Sequence, residues 1–140
     1  MKIHQVNPAY IPSLWPKVEG FINSALEYSG GEYTAEQLKV YLVENRQTLL
    51  VADDNGEIKG CATVQLSTYP NDLICFITSI GGRLIASKDM FAQLVEWAKS
   101  QGCTKIQGAA RESVERLWRQ RFGFSERYRI VEKDLKCQDY

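Results

Sequence analysis

Residues 47–70, QTLLVADDNGEIKGCATVQLSTYP, decide how the chain builds its sheet. An apolar stretch runs into the turn Asp54-Asn55-Gly56, and a second, longer stretch runs from that turn to Pro70. Asn-Gly is the strongest short signal for a hairpin because both residues adopt positive φ at little cost. The segment therefore predicts two antiparallel strands joined by a tight turn.

The next stretch, LICFITSI at residues 73–80, has no polar alternation and predicts a strand buried on both faces in the middle of the sheet. Shorter strand patterns lie further out along the chain. They are KIHQV at 2–6, CTKIQGA at 103–109 and ERYRIVEKDL at 126–135, the last with alternating apolar residues.

Four segments have apolar residues at helical spacing. The first, within residues 8–31, places Pro16 in its first turn and a Gly pair at its end. The second, residues 34–45, opens with Thr-Ala-Glu-Gln, the spacing of a capping box. The third and fourth are residues 90–102 and 111–123, each ending in Gly.

The elements alternate in the order β-α-α-β-β-β-α-β-α-β. This order predicts a mixed α/β (α+β) fold with a central, mostly antiparallel twisted sheet of about six strands and about four flanking helices. The length of 140 residues and the 44% apolar content suit one domain. We place that domain at residues 1–135 and a tail at 136–140.

Seventeen basic residues balance seventeen acidic ones, which argues against nucleic acid or an anionic membrane as a partner. Residues 105–129 nevertheless hold seven basic and three acidic side chains, which suit either a solvated face or an anion site. Four scattered cysteines and a single His predict reduced thiols and no metal site. The N-terminus lacks the apolar core of a signal peptide, so a cytoplasmic protein is expected.

Three pieces of the sequence together resemble the GNAT acyltransferase superfamily. Residues 49–66 resemble its second and third strands, residues 90–108 resemble the helix and strand after its cofactor loop, and LWRQRFGF at 117–124 resembles the end of its last helix. The resemblance covers nearly all of residues 1–135. Small GNAT-like proteins are also encoded by tailed bacteriophages, some as virion components, and this chain is compatible with that group.

The resemblance implies transfer of an acetyl group from acetyl-CoA to an amine by direct attack in a ternary complex. The acceptor would be a small-molecule or protein amine, and a homo-oligomer is left open. The alternative implied by the same resemblance is a non-catalytic binding or assembly module. That module would be cytoplasmic or virion-associated.

The family's loop pattern falls on residues 82–87, where Ile85 and Ser87 stand in place of two glycines. In one alignment, the loop at residues 82–87 binds the phosphates with Ile85 and Ser87 in place of the glycines. In another, the Gly pair at 81–82 and Arg83 meet the phosphates, and in a third view Leu84 and Ile85 fill an emptied cofactor groove. The resemblance implies the following cofactor-binding residues: Phe76, Ile77, Thr78, Gly82, Arg83, Ser87, Lys88 and Asp89.

The resemblance also implies where an acid, a base and an acceptor pocket would lie. Arg119 occupies the position where the family often carries Tyr, and Tyr128 on the expected closing strand is a substitute acid. The turn EYSGGEYT at 27–34 is placed in the acceptor pocket, with Glu32 as an acidic group that attracts an ammonium. The acceptor-binding residues implied in this way are Tyr28, Ser29, Glu32 and Tyr33.

Overall fold

The hairpin predicted from Asn-Gly lies at the centre of a five-stranded sheet in the computed structural model, which describes residues 1–136. Asn55 and Gly56 adopt φ of 53° and 90°, so the turn prediction is confirmed. The strands are β1 (Lys2–Gln5), β2 (Thr48–Asp54), β3 (Glu57–Thr68), β4 (Leu73–Gly82) and β5 (Lys105–Gly108). The helices are α1 (Ile11–Leu26), α2 (Ala35–Val43), α3 (Lys88–Ser100) and α4 (Glu112–Phe122).

The strands follow one another across the sheet in the order β1-β2-β3-β4-β5. The first four are antiparallel, whereas β5 runs parallel to β4. A parallel neighbour requires a crossover, and α3 supplies it. The mostly antiparallel mixed fold predicted from the sequence is therefore confirmed.

The helices cover both faces of the sheet because the central strands are apolar on both faces. Leu49 and Val51 of β2 pack in one core with α1 and α2. Leu50 between them packs in a second core with residues of α3 and α4, including Leu94 and Trp118. Adjacent residues of one strand thus serve opposite layers, as period-2 geometry requires.

The helix signals are mostly confirmed, with two corrections in α1. This helix ends at Leu26 with Glu27 as its C-cap, several residues before the glycine pair 30–31 that was expected to end it. Thr34 caps α2 in a capping box, since its Oγ1 accepts from the N–H of Gln37 at 3.2 Å and its own N–H donates to Gln37 Oε1 at 2.9 Å. Pro16 does not lie in a first turn but inside α1. The helix begins at Ile11, and another proline, Pro12, already occupies its start.

The predicted closing strand at residues 126–135 is wrong, which reduces the strand count from about six to five among residues 1–136. Ile130 and Val131 are 82% and 91% exposed, and Tyr128 is 65% exposed instead of half-buried on a strand. An alternating sequence gains nothing from strand geometry unless one face is buried against a neighbour. Residues 137–140, which include most of the predicted tail and Cys137, lie outside the described residues.

No helix in the described part of the chain is long and apolar enough to cross a membrane. Within residues 1–136, no group of three or more His, Cys, Asp or Glu side chains is arranged to hold a metal ion.

Candidate active site

A cavity opens where β4 and β5 separate. The two strands pair from Ile74 and Lys105 to Ile77 and Gly108, and β5 ends there while β4 continues to Gly82. Residues 77–82 of β4 pair with β3 but, after Ile77, have no partner on the β5 side; they line one wall, and residues 109–111 line the opposite wall. The cavity has a volume of about 270 Å³.

The other walls come from helices on both faces of the sheet. Ser24, Ala25, Tyr28 and Ser29 close one side at the end of α1. Ile85 of the loop after β4 lines the opposite side, together with Val114 and Trp118 of α4. The cavity therefore passes through the gap between the strands and has one end near α1 and another near α4.

A β-bulge on β4 lies directly at this gap. Thr63 of β3 pairs with Ser79 and Val64 pairs with Ile77, so Thr78 is an extra residue in β4. The side chains around the bulge form a hydrogen-bonded chain. Thr63 Oγ1 lies 2.6 Å from Ser79 Oγ and 2.7 Å from Thr78 Oγ1, and Thr78 Oγ1 donates to Gln47 Oε1 at 2.7 Å. Bulges commonly reorient side chains next to functional sites.

The glycine pair at the end of β4 is required by packing. A Cβ at Gly82 would lie 2.6 Å from the Cα of Gly60, and Gly82 has φ of +67°. A Cβ at Gly81 would lie 2.8 Å from the carbonyl oxygen of Phe21 in α1. Both glycines thus allow β3 and α1 to approach the end of β4 closely.

The loop between β4 and α3 presents backbone donors without acceptors. Ser87 is the N-cap of α3, and its Oγ accepts from the N–H of Met90 at 3.2 Å. Among the described residues, no acceptor is found for the four consecutive N–H groups of residues 86–89. Free N–H groups at a helix N-terminus form a natural anion site, because the helix dipole adds to their partial charges.

Two side chains of α4 fix the orientation of this loop. Trp118 Nε1 donates to the carbonyl oxygen of Ile85 at 3.3 Å, and Arg121 Nη1 donates to that of Ala86 at 3.2 Å. In a trans peptide, the C=O and the following N–H point in opposite directions. The N–H groups of Ala86 and Ser87 therefore point away from α4, and the carbonyl oxygens that would repel an anion are held on the other side.

Aromatic packing holds Trp118 in place. Gly123 ends α4 in the left-handed conformation, and the following Phe124 packs on Trp118 with ring centroids 5.1 Å apart. Phe91 of α3 stacks on Phe122 at 4.4 Å. The predicted helix end at Gly123 thus anchors α4 to α3 beside the loop.

The structure distributes the predicted cofactor residues over three places. Ile77, Thr78 and Gly82 line the cavity, whereas Phe76 does not. Ser87, Lys88 and Asp89 belong to the helix entrance with the free N–H groups. Arg83 is exposed at the start of the loop, where its N–H donates to the carbonyl oxygen of Lys59 at 3.0 Å.

Ile85 and its neighbour have different surroundings. Leu84 is 2% exposed and packs in a core cluster with Met90, so it does not enter the cavity. Ile85 lines the cavity with φ outside the positive range, since Asn45 and Asn55 are the non-glycine residues with positive φ within residues 1–136. Its β-branched side chain therefore causes no backbone strain at this position.

The structure brings together only part of the predicted acceptor and catalytic set. Tyr28 and Ser29 line the cavity, but Glu32 and Tyr33 do not, and Tyr33 packs edge-on against Tyr41. Arg119 does not line the cavity either, and it pairs with Glu115 on the exposed face of α4. Tyr128 lies in the exposed segment after α4 and is also absent from the cavity wall.

Trp118 and Arg111 are two of the cavity residues that are absent from the set predicted from the sequence. Helical spacing indicates Trp118 only as an inward-facing core residue, and composition indicates Arg111 only as a member of a basic run. The guanidinium of Arg111 stacks over the ring of Tyr28, with Cζ 3.7 Å from the ring centroid. Arg111 lies between the end of β5 and the start of α4, where β4 and β5 separate. This position is the signal from which Arg111 could have been predicted as a cavity residue.

Solved structures that are similar to this chain include acetyltransferases. A protein described as a probable acetyltransferase shares 15% identity over all of both chains with a TM-score of 0.67. A predicted acetyltransferase from Clostridium acetobutylicum, solved with acetyl-CoA, shares 17% identity over 96% of both chains with a TM-score of 0.65. The chain has the fold of the GNAT acetyltransferases.

A third solved structure is also similar to this chain. It is an aminoglycoside N-acetyltransferase in complex with CoA, at 18% identity, covering 97% of this chain and 95% of that one with a TM-score of 0.67. A scan against protein-family models finds no match, and a search of curated proteins finds none. At these identities the likeness shows the GNAT fold alone, because one fold hosts many functions.

Proposed function

We propose that the protein is an acetyl-CoA-dependent N-acetyltransferase. The observation that carries this proposal is the row of four free N–H groups at residues 86–89, beside a cavity that opens where β4 and β5 part. Acetyl-CoA combines a pyrophosphate, which suits such N–H groups, with a narrow arm that ends in a thioester. Lys88 in the first turn of α3 and Arg83 at the start of the loop add two positive charges to this segment, against the one carboxylate of Asp89.

When bound, acetyl-CoA supplies the activated acetyl group. The residues of this chain would hold its pyrophosphate at the start of α3, and the backbone at Ile77 and Thr78, which line the cavity, would face its acyl end. Donors that are fixed before the reaction stabilise the charge that develops on a carbonyl oxygen. The bulge at Thr78, held by three hydrogen-bonded side chains, supplies a rigid backbone at this point.

In this proposal, no side chain of the protein removes the proton from the acceptor amine. The side chains that line the cavity include no carboxylate and no imidazole. We therefore expect water to take the proton, so that the rate follows the unprotonated fraction of the acceptor. Acceptors of different amine pKa should then give pH profiles that move with the acceptor.

Binding of acetyl-CoA is tested by calorimetry and by thermal unfolding. At a hundredfold excess over Kd, a ligand specific to the native state stabilises by about 2.7 kcal/mol. Ser87→Ala and Arg83→Ala should each weaken binding about tenfold. Absence of any stabilisation at millimolar acetyl-CoA would contradict the proposal.

Arg121→Ala tests the loop geometry separately, because Arg121 holds the carbonyl of Ala86. We expect weaker acetyl-CoA binding with little change in unfolding free energy. Arg116→Ala is the matched control, since Arg116 is an exposed arginine of the same helix that pairs with Glu112 and does not line the cavity. Equal acetyl-CoA affinities of both variants would mean that the loop does not depend on Arg121.

A non-catalytic CoA-binding protein is the second candidate. The observation that favours it is the lack of any carboxylate or imidazole on the cavity wall. This alternative predicts acetyl-CoA binding without release of free thiol in the presence of any amine. Thiol release that depends on the amine concentration decides for the enzyme.

A further inference from the structure

The cavity has an unusual charge balance for a site that is to receive an amine. Among its lining residues, Arg111 is the one charged side chain, and the polar remainder consists of hydroxyl groups from serine, threonine and tyrosine. The acidic residues at the start of α4 are engaged elsewhere, Glu112 with Arg116 and Glu115 with Arg119. A cationic acceptor alone would therefore meet a positive charge and no negative one.

Arg111 is an exposed residue that contacts an aromatic ring and has no acidic partner within residues 1–136. Its Cζ lies over the Tyr28 ring at 3.7 Å from the ring centroid, a contact that links the start of α4 to the end of α1 at the cavity wall. Stacking uses the face of the guanidinium and leaves the N–H groups at its edge available. These N–H groups form the planar fork that binds a carboxylate through two parallel hydrogen bonds.

We propose that the acceptor is a small amine that also carries a carboxylate, as in an amino acid, and that Arg111 binds the carboxylate. The inference rests on the proposed function. The cavity of about 270 Å³ must also admit the acyl end of acetyl-CoA, so the space left for the acceptor suits a small amine better than a multi-ring aminoglycoside. A polycation would lose hydration inside the cavity without gaining any acidic partner.

The test compares amines that differ only in the carboxylate. Amino acids, their carboxamides and the corresponding decarboxylated amines are assayed for thiol release from acetyl-CoA, together with a polyamine and an aminoglycoside. We expect kcat/KM to be at least about tenfold higher for the carboxylates than for the matched carboxamides. A charge-assisted bidentate pair commonly contributes a factor of about 10 to 100.

Variants of Arg111 locate the effect. Arg111→Ala should raise KM for carboxylate acceptors about ten- to hundredfold and leave the carboxamides unchanged. Arg111→Lys should recover part of the difference, because it keeps the charge but loses the fork. Arg116→Ala is the control with the same loss of charge on the same helix, and it should retain the wild-type preference.

Each outcome bears on the inference. A polyamine or aminoglycoside that reacts better than every carboxylate acceptor overturns it and leaves the proposed function standing. The same holds if no carboxylate acceptor reacts while acetyl-CoA binds, or if Arg111→Ala affects carboxylates and carboxamides alike. Failure to bind acetyl-CoA removes the proposed function and this inference together.

Discussion

Replacement of Gly82 by alanine tests the claim that the glycine pair at the end of β4 serves packing. The new methyl group would lie 2.6 Å from the Cα of Gly60, and the backbone at Gly82 has φ of +67°. Two costs therefore add. A left-handed conformation costs an L-residue about 1–2 kcal/mol, and overpacking against backbone costs about 1–3 kcal/mol more. We expect Gly82→Ala to lower the free energy of unfolding by about 2–5 kcal/mol.

Two other glycines separate these costs. Gly31 has φ of +87°, and no atom lies within 4 Å of the place that a Cβ would occupy, so Gly31→Ala should show only the conformational cost of about 1–2 kcal/mol. Gly20 lies inside α1, also in open space and without positive φ. Gly20→Ala should instead stabilise the protein by about 1 kcal/mol, since alanine is the better helix former.

The assay is equilibrium unfolding in urea, with all three variants and the wild type measured under one set of conditions. The slope of the free energy against denaturant should stay constant, which shows that the native and unfolded ensembles are comparable. If Gly82→Ala destabilises no more than Gly31→Ala, the close approach of β3 to the end of β4 does not constrain this position. The glycine pair would then need another explanation.

Three further predictions concern stability and reactivity. The pKa of Asp72 is lowered, first by the hydrogen bond from Thr104 and then by Lys105. Asp72 therefore stabilises the fold above its unfolded pKa, and this contribution is lost as the pH falls below about 4. Asp72→Asn should reduce the loss of unfolding free energy between neutral and acidic pH in a pH–stability curve. Burial raises the pKa of the thiols of Cys61 and Cys75 to about 12. Both thiols should therefore resist alkylation at pH 8 until the protein is denatured. Rapid labelling of either thiol in the native protein would contradict this expectation. Thr34→Ala should cost about 1 kcal/mol in thermal unfolding through loss of the α2 cap, and Thr34→Ser should cost much less.

The parts of the fold that the sequence predicted are those with strong local signals. The Asn-Gly turn, the capping box at Thr34 and the glycine end of α4 each depend on a few neighbouring residues, and each is present in the structure. The closing strand failed because its alternation, although real, needs a neighbouring strand and a covering layer. Neither requirement can be read from residues 126–135 themselves.

The candidate site was predicted less completely because it forms between elements distant in the chain. Arg111 and Tyr28 are 83 positions apart, and the contact between them depends on how β5 ends beside α1. The family pattern placed Arg119 at the position of an acid, whereas the wall residue on α4 is Trp118, one position earlier. A shift of one residue turns a helical side chain by about 100°, enough to move it from the cavity to solvent.

The hydroxyl chain at the bulge has a direction. Gln47 Oε1 and the carbonyl oxygen of Thr63, which lie 2.7 and 3.0 Å from Thr78 Oγ1, can only accept. The single proton of the Thr78 hydroxyl is therefore committed to them, and the Thr63 hydroxyl must donate to Thr78. Ser79, a residue of the cavity wall, must then donate to Thr63, so its hydroxyl oxygen can form any further hydrogen bond only as an acceptor. The Ser79 hydroxyl can therefore accept a hydrogen bond from the N–H group of a ligand but cannot donate one, because its proton is already bonded to Thr63.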